Sequence, residues 1–126
     1  MVQQKGILVY GYNQKEAYFL QKTFSQLLDS PVLLKSGTDL LNEKVHSILH
    51  KNTGFDYVDA SPKIILFFSM TDSEIRTILS HFPEQVTRPI FCGLTPHNMQ
   101  WEFQDLIEHL LAEKEMMKKQ SMQDQQ

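Results

Sequence analysis

The chain has 126 residues, of which 41% are hydrophobic and 21% charged, and a formal net charge of −3. This is an ordinary balance for a soluble globular chain, and the length suggests one domain with its own core. One cysteine excludes an internal disulfide framework, no apolar run approaches the ~20 residues of a membrane span, and the slight acidity gives no electrostatic footprint for nucleic acid.

Met1-Val2-Gln3-Gln4-Lys5-Gly6 lacks the apolar stretch of a secretory signal, so the cytoplasm is the expected compartment. Gly6 to Gly11 encloses a continuous apolar run, as in a strand buried on both faces. Asn13 and Glu16 have the spacing of a capping box, and Ala17, Leu20, Phe24, Leu27 and Leu28 then recur as one helical stripe. Asp29-Ser30-Pro31 ends that helix. Val32 to Lys35 reads as a weaker strand, with a lysine suited to a sheet edge. Ser36 to Asp39 can cap a second helix with Leu41, Val45, Ile48 and Leu49 inward, and Lys51 to Pro62 reads as a loop. Lys63 to Ser69 is the strongest strand signal and predicts a central position. Thr71-Asp72-Ser73-Glu74 is a second capping box, followed by Ile75, Ile78, Leu79 and Phe82, with Pro83 as the stop. Arg88 to Thr95 predicts the fourth strand, its proline placed at the start. Phe103, Leu106, Ile107, Leu110 and Leu111 mark the last helix. A single α/β domain is expected over residues 1–118, with a frayed polar tail over 119–126 and no internal repeat.

Strict strand–helix alternation predicts a three-layer sandwich. Its four-stranded, mostly parallel sheet has order 2-1-3-4, with helices on both faces and any antiparallel strand at the edge. In such a sheet ligands bind beyond the carboxyl ends of the strands, where the order reverses. Parallel strands would gather Tyr12, Asn13, Thr71, Thr95, His97, Asn98 and Trp101 at one edge, as candidate ligand-binding residues.

The segments Leu8-Val9-Tyr10-Gly11-Tyr12, Ile64 to Met70 and Arg88 to Trp101 resemble a bacterial family of small proteins known only as a domain of unknown function. The likeness spans roughly Gly6 to Glu113, most of a domain of this size. Thr95, Pro96, Asn98 and Trp101 match its Thr-Pro-x-Asn-x-x-Trp motif. The resemblance implies a one-domain bacterial protein and carries no known chemistry.

Each candidate has a structural and a functional reading. Thr95, Pro96 and Asn98 can simply cap the last helix, or its N–H groups can hold an anion with His97 as acid or base. Trp101, opposite the core stripe, packs on a loop or serves as a binding platform. Gly11 suits a tight turn, and no dinucleotide or phosphate-loop fingerprint surrounds it. His46 and His50 share a helix face but lack the further ligands a metal requires, so no metal is expected. Cys92, inside an apolar strand, is expected to be inert. Tyr18 and Phe19 with Met116 and Met117 could form one contact surface for a symmetric homodimer.

A non-enzymatic small-ligand-binding or protein-interaction module is therefore expected. No cofactor, membrane or nucleic acid is expected to take part. Its partner would be a small anionic ligand or a protein. The alternative is a small enzyme using His97, with an anion site at the N-terminus of the last helix.

Overall fold

A computed structural model describes residues 4–50 and 56–124, with residues 118–124 by backbone alone. In chain order the elements are β1 (Gly6–Tyr10), α1 (Gln14–Leu28), β2 (Leu33–Ser36), α2 (Val45–His50), β3 (Ile64–Phe68), α3 (Asp72–Ser80), β4 (Ile90–Gly93), a 3-10 turn (Asn98–Gln100) and α4 (Phe103–Asp124). They build a mixed α/β structure whose sheet has the order β2-β1-β3-β4. Both anticipated capping boxes are present: Asn13 and Thr71 each accept from the backbone three residues on, and Glu16 and Glu74 reach back. α2 is shorter than expected, because Asp39 takes a left-handed conformation (φ 61°) and a turn replaces its first residues. α4 extends to Asp124, into the segment expected to fray, in a stretch rich in the helix formers Glu, Lys, Met and Gln.

β1 pairs in parallel with β2, and β3 with β4, but the central β1/β3 pair is antiparallel, with Leu8 opposite Leu66. This corrects the expectation that only an edge strand would run against the others. A continuous apolar run reports burial on both faces, and helices covering both faces supply that whatever the strand direction. Direction across the seam is decided by the segment joining α2 to β3. His50 lies near Phe68 and Ser69, at the carboxyl end of β3, whereas Lys63, at its start, bonds Gly11 beyond the other end. The chain thus crosses the molecule once more before entering β3, and enters reversed.

Alternation of side chains splits each central strand between two cores. Ile7, Val9, Ile65 and Phe67 pack against Ala17, Leu20 and Phe24 of α1 and Ile78 of α3. Leu8, Ile64, Leu66 and Phe68 pack against Val45 and Ile48 of α2 and Phe103, Leu106 and Leu110 of α4. This accounts for five consecutive buried residues in β3.

The antiparallel seam makes the two βαβα halves equivalent about an approximate twofold axis. The capping boxes lie 58 residues apart (13 to 71, 16 to 74). The same step carries the core triad Ala17, Leu20, Phe24 onto Ile75, Ile78, Phe82, and Val45, Ile48 onto Phe103, Leu106. Phe24 and Phe82 meet at 6.1 Å between ring centroids. On the opposite face Lys44 bridges Glu102, with Val45 N–H donating to Trp101 O and Phe103 N–H to Glu43 O, both at 2.9 Å. A structural repeat is therefore present where none was read in the sequence. The halves share its apolar pattern but few identities, such as Ile7/Ile65, Leu8/Leu66, Glu16/Glu74 and Phe24/Phe82.

Candidate functional site

The reversed seam divides the candidate residues between opposite edges of the sheet. Tyr12 and Asn13 follow β1, whereas Thr71, Thr95, His97, Asn98 and Trp101 follow β3 and β4, which end at the other edge. The expected convergence of all seven does not occur, because it required parallel β1 and β3.

At the β1 edge, Tyr12 is buried beneath the entry of α1, and its hydroxyl donates to Thr87 O at 2.6 Å. Burial, reinforced by the charge of Glu16, pushes its phenol well above the ordinary tyrosine range. The Lys63 ammonium lies over the Tyr12 ring at 5.3 Å and donates to Gly11 O and Asp59 Oδ1, both at 2.6 Å, and to Ala60 O at 3.3 Å. These bonds tie the segment entering β3 across the turn at Gly11. That turn needs glycine: φ is +90°, and a Cβ would stand 2.7 Å from the carbonyl oxygens of Ala60 and Pro62. Sequence reading missed Lys63 as a tether; its position just before a strand gives no signal of where its amine reaches.

At the other edge Thr95 and Asn98 bond reciprocally, Thr95 N–H to Asn98 Oδ1 at 2.8 Å and Asn98 N–H to Thr95 Oγ1 at 3.0 Å. Asn98 is buried, and its Nδ2 donates to Gly93 O at 3.0 Å. The pair closes the turn after β4. It does not cap α4, which starts only at Phe103. There the first free N–H groups already have acceptors: Phe103 donates to Glu43 O and Gln104 to Leu41 O, each at 2.9 Å. An anion at this helix end would have to displace those carbonyls. His97 is exposed and meets Trp101 edge-on, with 5.2 Å between ring centroids; Trp101 is half-buried between His97 and His109. Thr71 is exposed as the cap of α3, and Lys5 pairs with Glu74 beside it, holding that carboxyl below its usual range chiefly through their hydrogen bond.

His46 and His50 stack at 4.2 Å on the exposed side of α2, and no group of three metal-ligating side chains occurs among the described residues. Cys92 is half-buried, and desolvation, with Glu113 nearby, raises its thiol pKa, which disfavours the nucleophilic thiolate. Tyr18 and Phe19 stay exposed on α1, but Met116 and Met117 belong to α4, on the opposite face of the sheet. The single contact surface expected from these four is thus two separate ones.

A groove of about 660 Å³ runs beside α1 and was not anticipated. Asn13, Lys15, Glu16, Tyr18, Phe19 and Lys22 form one wall and Gln85 and Val86 the other. Tyr18 touches Tyr57 edge-on at 5.8 Å; burial, with Tyr18 adjacent, pushes the Tyr57 phenol up to about 12. A second crevice of about 470 Å³ gathers Lys63, Arg88 and Lys114.

A family model described as a domain of unknown function (DUF3783) matches residues 63–117. That segment takes in β3, α3, β4 and the part of α4 that packs on the sheet, which is the second βαβα half. No curated protein and no solved structure matches the chain. Among the described residues no helix is long and apolar enough to cross a membrane.

Proposed function

We propose that the chain is a non-catalytic interaction module whose contact surface is the groove beside α1. One observation carries the reading. Tyr18 and Phe19 are 50% and 39% exposed, while the equivalent positions of α3, 58 residues on (18 to 76, 19 to 77), hold Arg76 and Thr77. The same skeleton forms with or without aromatics there, so folding does not demand them. Exposed aromatics beside a groove are the residues that contribute most to binding surfaces. Lys15 and Lys22 flank them against the single carboxylate of Glu16, which is already engaged in the helix cap, and this balance favours a protein segment carrying apolar and acidic side chains. The exposure of His97 supports a module over the enzyme alternative, since an acid–base histidine works best in a closed site. The resemblance to a bacterial family with a Thr95-Pro96-x-Asn98-x-x-Trp101 signature supports a bacterial source.

The test is an NMR titration of the full chain with the capped dipeptide N-acetyl-Phe-Asp-amide and its Phe-Lys counterpart. Amide shifts should concentrate at residues 13–22 and 85–86, be larger for the acidic peptide, and vanish in Phe19→Ala. Shifts centred elsewhere, or indifferent to Phe19→Ala, sink the reading. A small anionic ligand is the second reading, favoured by the Lys63, Arg88 and Lys114 crevice. It requires a phosphate-dependent rise in Tm that Arg88→Gln abolishes.

A further inference from the structure

We infer that the outer edge of β4 is a self-complementary pairing surface, where a second copy of the chain lays its own β4 antiparallel about a twofold axis and joins two four-stranded sheets into one. In a parallel ladder, alternate residues turn both their N–H and their C=O to the neighbouring strand. Ile90 N–H donates to Lys63 O and Leu94 N–H to Phe67 O, so Ile90, Cys92 and Leu94 face β3 while Pro89, Phe91 and Gly93 turn outward. Past this stretch the outward groups are already engaged. Asn98 acts as a short substitute strand: its Oδ1 accepts from Thr95 N–H, and its Nδ2 donates to Gly93 O. At the other end Thr87 O accepts from the Tyr12 hydroxyl. Among the described residues none bonds Pro89 O, Phe91 N–H, Phe91 O or Gly93 N–H. The far edge of the sheet, at β2, is closed instead. Val32 N–H donates to Ser25 Oγ, Val32 O accepts from Gln21 Nε2, and Ser36 and Thr38 are buried.

The open groups define one register. With Phe91 opposite Phe91 of the second copy, each Phe91 N–H meets the other's C=O, and each Gly93 N–H meets Pro89 O. The bond that proline cannot donate would have fallen on Gly93 O, which Asn98 already supplies. The next pair would set Thr95 N–H against Thr87 O, and both are engaged within their own chain. A shift of two residues either way puts Phe91 O opposite a proline nitrogen, or Phe91 N–H opposite the occupied Gly93 O. The side chains agree with this register. Ile90 would face Cys92 of the second copy, both half-buried and on the α4 face of the sheet, and the half-buried Phe91 rings would meet on the α3 face. Leu111, 38% exposed beside Ile90, would be covered. Charge agrees as well. Arg88 and Lys114 lie beside Ile90, and Glu113, in contact with His109, lies near Cys92, so the basic end of each strand meets the acidic end of the other. Such matching about a twofold axis is the condition for an isologous interface, and strand addition at an open edge supplies its main-chain bonds.

The test is the mass of the full chain in solution across a concentration series, by sedimentation equilibrium, for wild type, Gly93→Ala and Gly93→Pro. A Cβ at Gly93 meets no atom within 4 Å and its φ is not positive, so both side chains have room in the folded chain. Gly93→Pro removes an outward N–H that the fold does not use; Gly93→Ala keeps it. Wild type and Gly93→Ala should pass from the mass of one chain to that of two as concentration rises, and Gly93→Pro should stay at one. The Phe91 and Gly93 amides of wild type should also exchange with solvent more slowly at high concentration than at low, a readout that decides the matter should Gly93→Pro fail to fold. Exchange at these two amides that ignores concentration overturns the inference. A chain still monomeric at millimolar concentration overturns it and leaves the edge to a strand of another protein. A dimer that survives Gly93→Pro overturns it too, and if Phe19→Ala dissolves that dimer, the contact is the groove beside α1.

Discussion

At position 12 the first half buries a tyrosine, and the second half has the half-buried Met70 in its place. Gly11 turns the chain at φ 90° under the segment that enters β3, while its counterpart Ser69 makes the turn at φ 58° with an exposed side chain. α1 shows solvent Tyr18 and Phe19 where α3 shows Arg76 and Thr77. Between the halves, the inward positions agree in apolar character and the outward ones do not. The shared positions specify the skeleton; the divergent ones include those that pack the turn at Gly11 and those that line the groove proposed as a contact surface.

The sharpest way to break this comparison is to truncate equivalent core residues. Leu20 and Ile78 are both fully buried, so Leu20→Ala and Ile78→Ala should each cost about 2–5 kcal/mol by urea unfolding. Similar losses support equivalent cores; a large loss in one half beside none in the other contradicts it.

Smaller effects sharpen the asymmetry. Tyr12→Phe removes the bond to Thr87 O and should cost about 0.5–1.5 kcal/mol, while Met70→Leu, with no such bond at stake, should cost less. Because the folded Tyr12 phenol is held above its unfolded value of 10.0, its contribution is complete below that pH and is lost as pH rises beyond it. Tyr12→Phe should therefore flatten the alkaline limb of the stability–pH curve; an unchanged limb would remove Tyr12 from the account.

Glu74 behaves in the opposite sense. Its folded pKa is lowered from 4.5, chiefly by the Lys5 hydrogen bond, so its contribution is present above that pH and lost as pH falls through the folded value. Glu74→Gln should lose about 0.2–1 kcal/mol at neutral pH, and the loss should disappear in acid. A pH-independent loss would assign the effect to the helix cap alone. The smallest effect belongs to the exposed histidine stack. His46→Ala with His50→Ala should change stability by less than about 0.5 kcal/mol and leave zinc content, measured by atomic absorption, unaltered.

The sequence by itself determined the order of elements, both capping boxes, the inward stripes and the central place of β1 and β3. Each of these depends on neighbours within one or two helical turns, or on apolar periodicity, which a linear reading can follow. It also carried a likeness to a domain of unknown function, which the family match supports over residues 63–117, about half of the span expected. Only the tertiary structure decided the direction of β3. That depends on the end of the sheet at which Lys63 enters β3, and apolar periodicity within a strand carries no record of its direction. With that direction went the division of Tyr12 and Asn13 from Thr71, Thr95, His97, Asn98 and Trp101, and the twofold relation between halves. The groove beside α1 was equally hidden, because its second wall, Gln85 and Val86, comes from the turn before β4 and is brought to α1 only by the packing of α3 beside it.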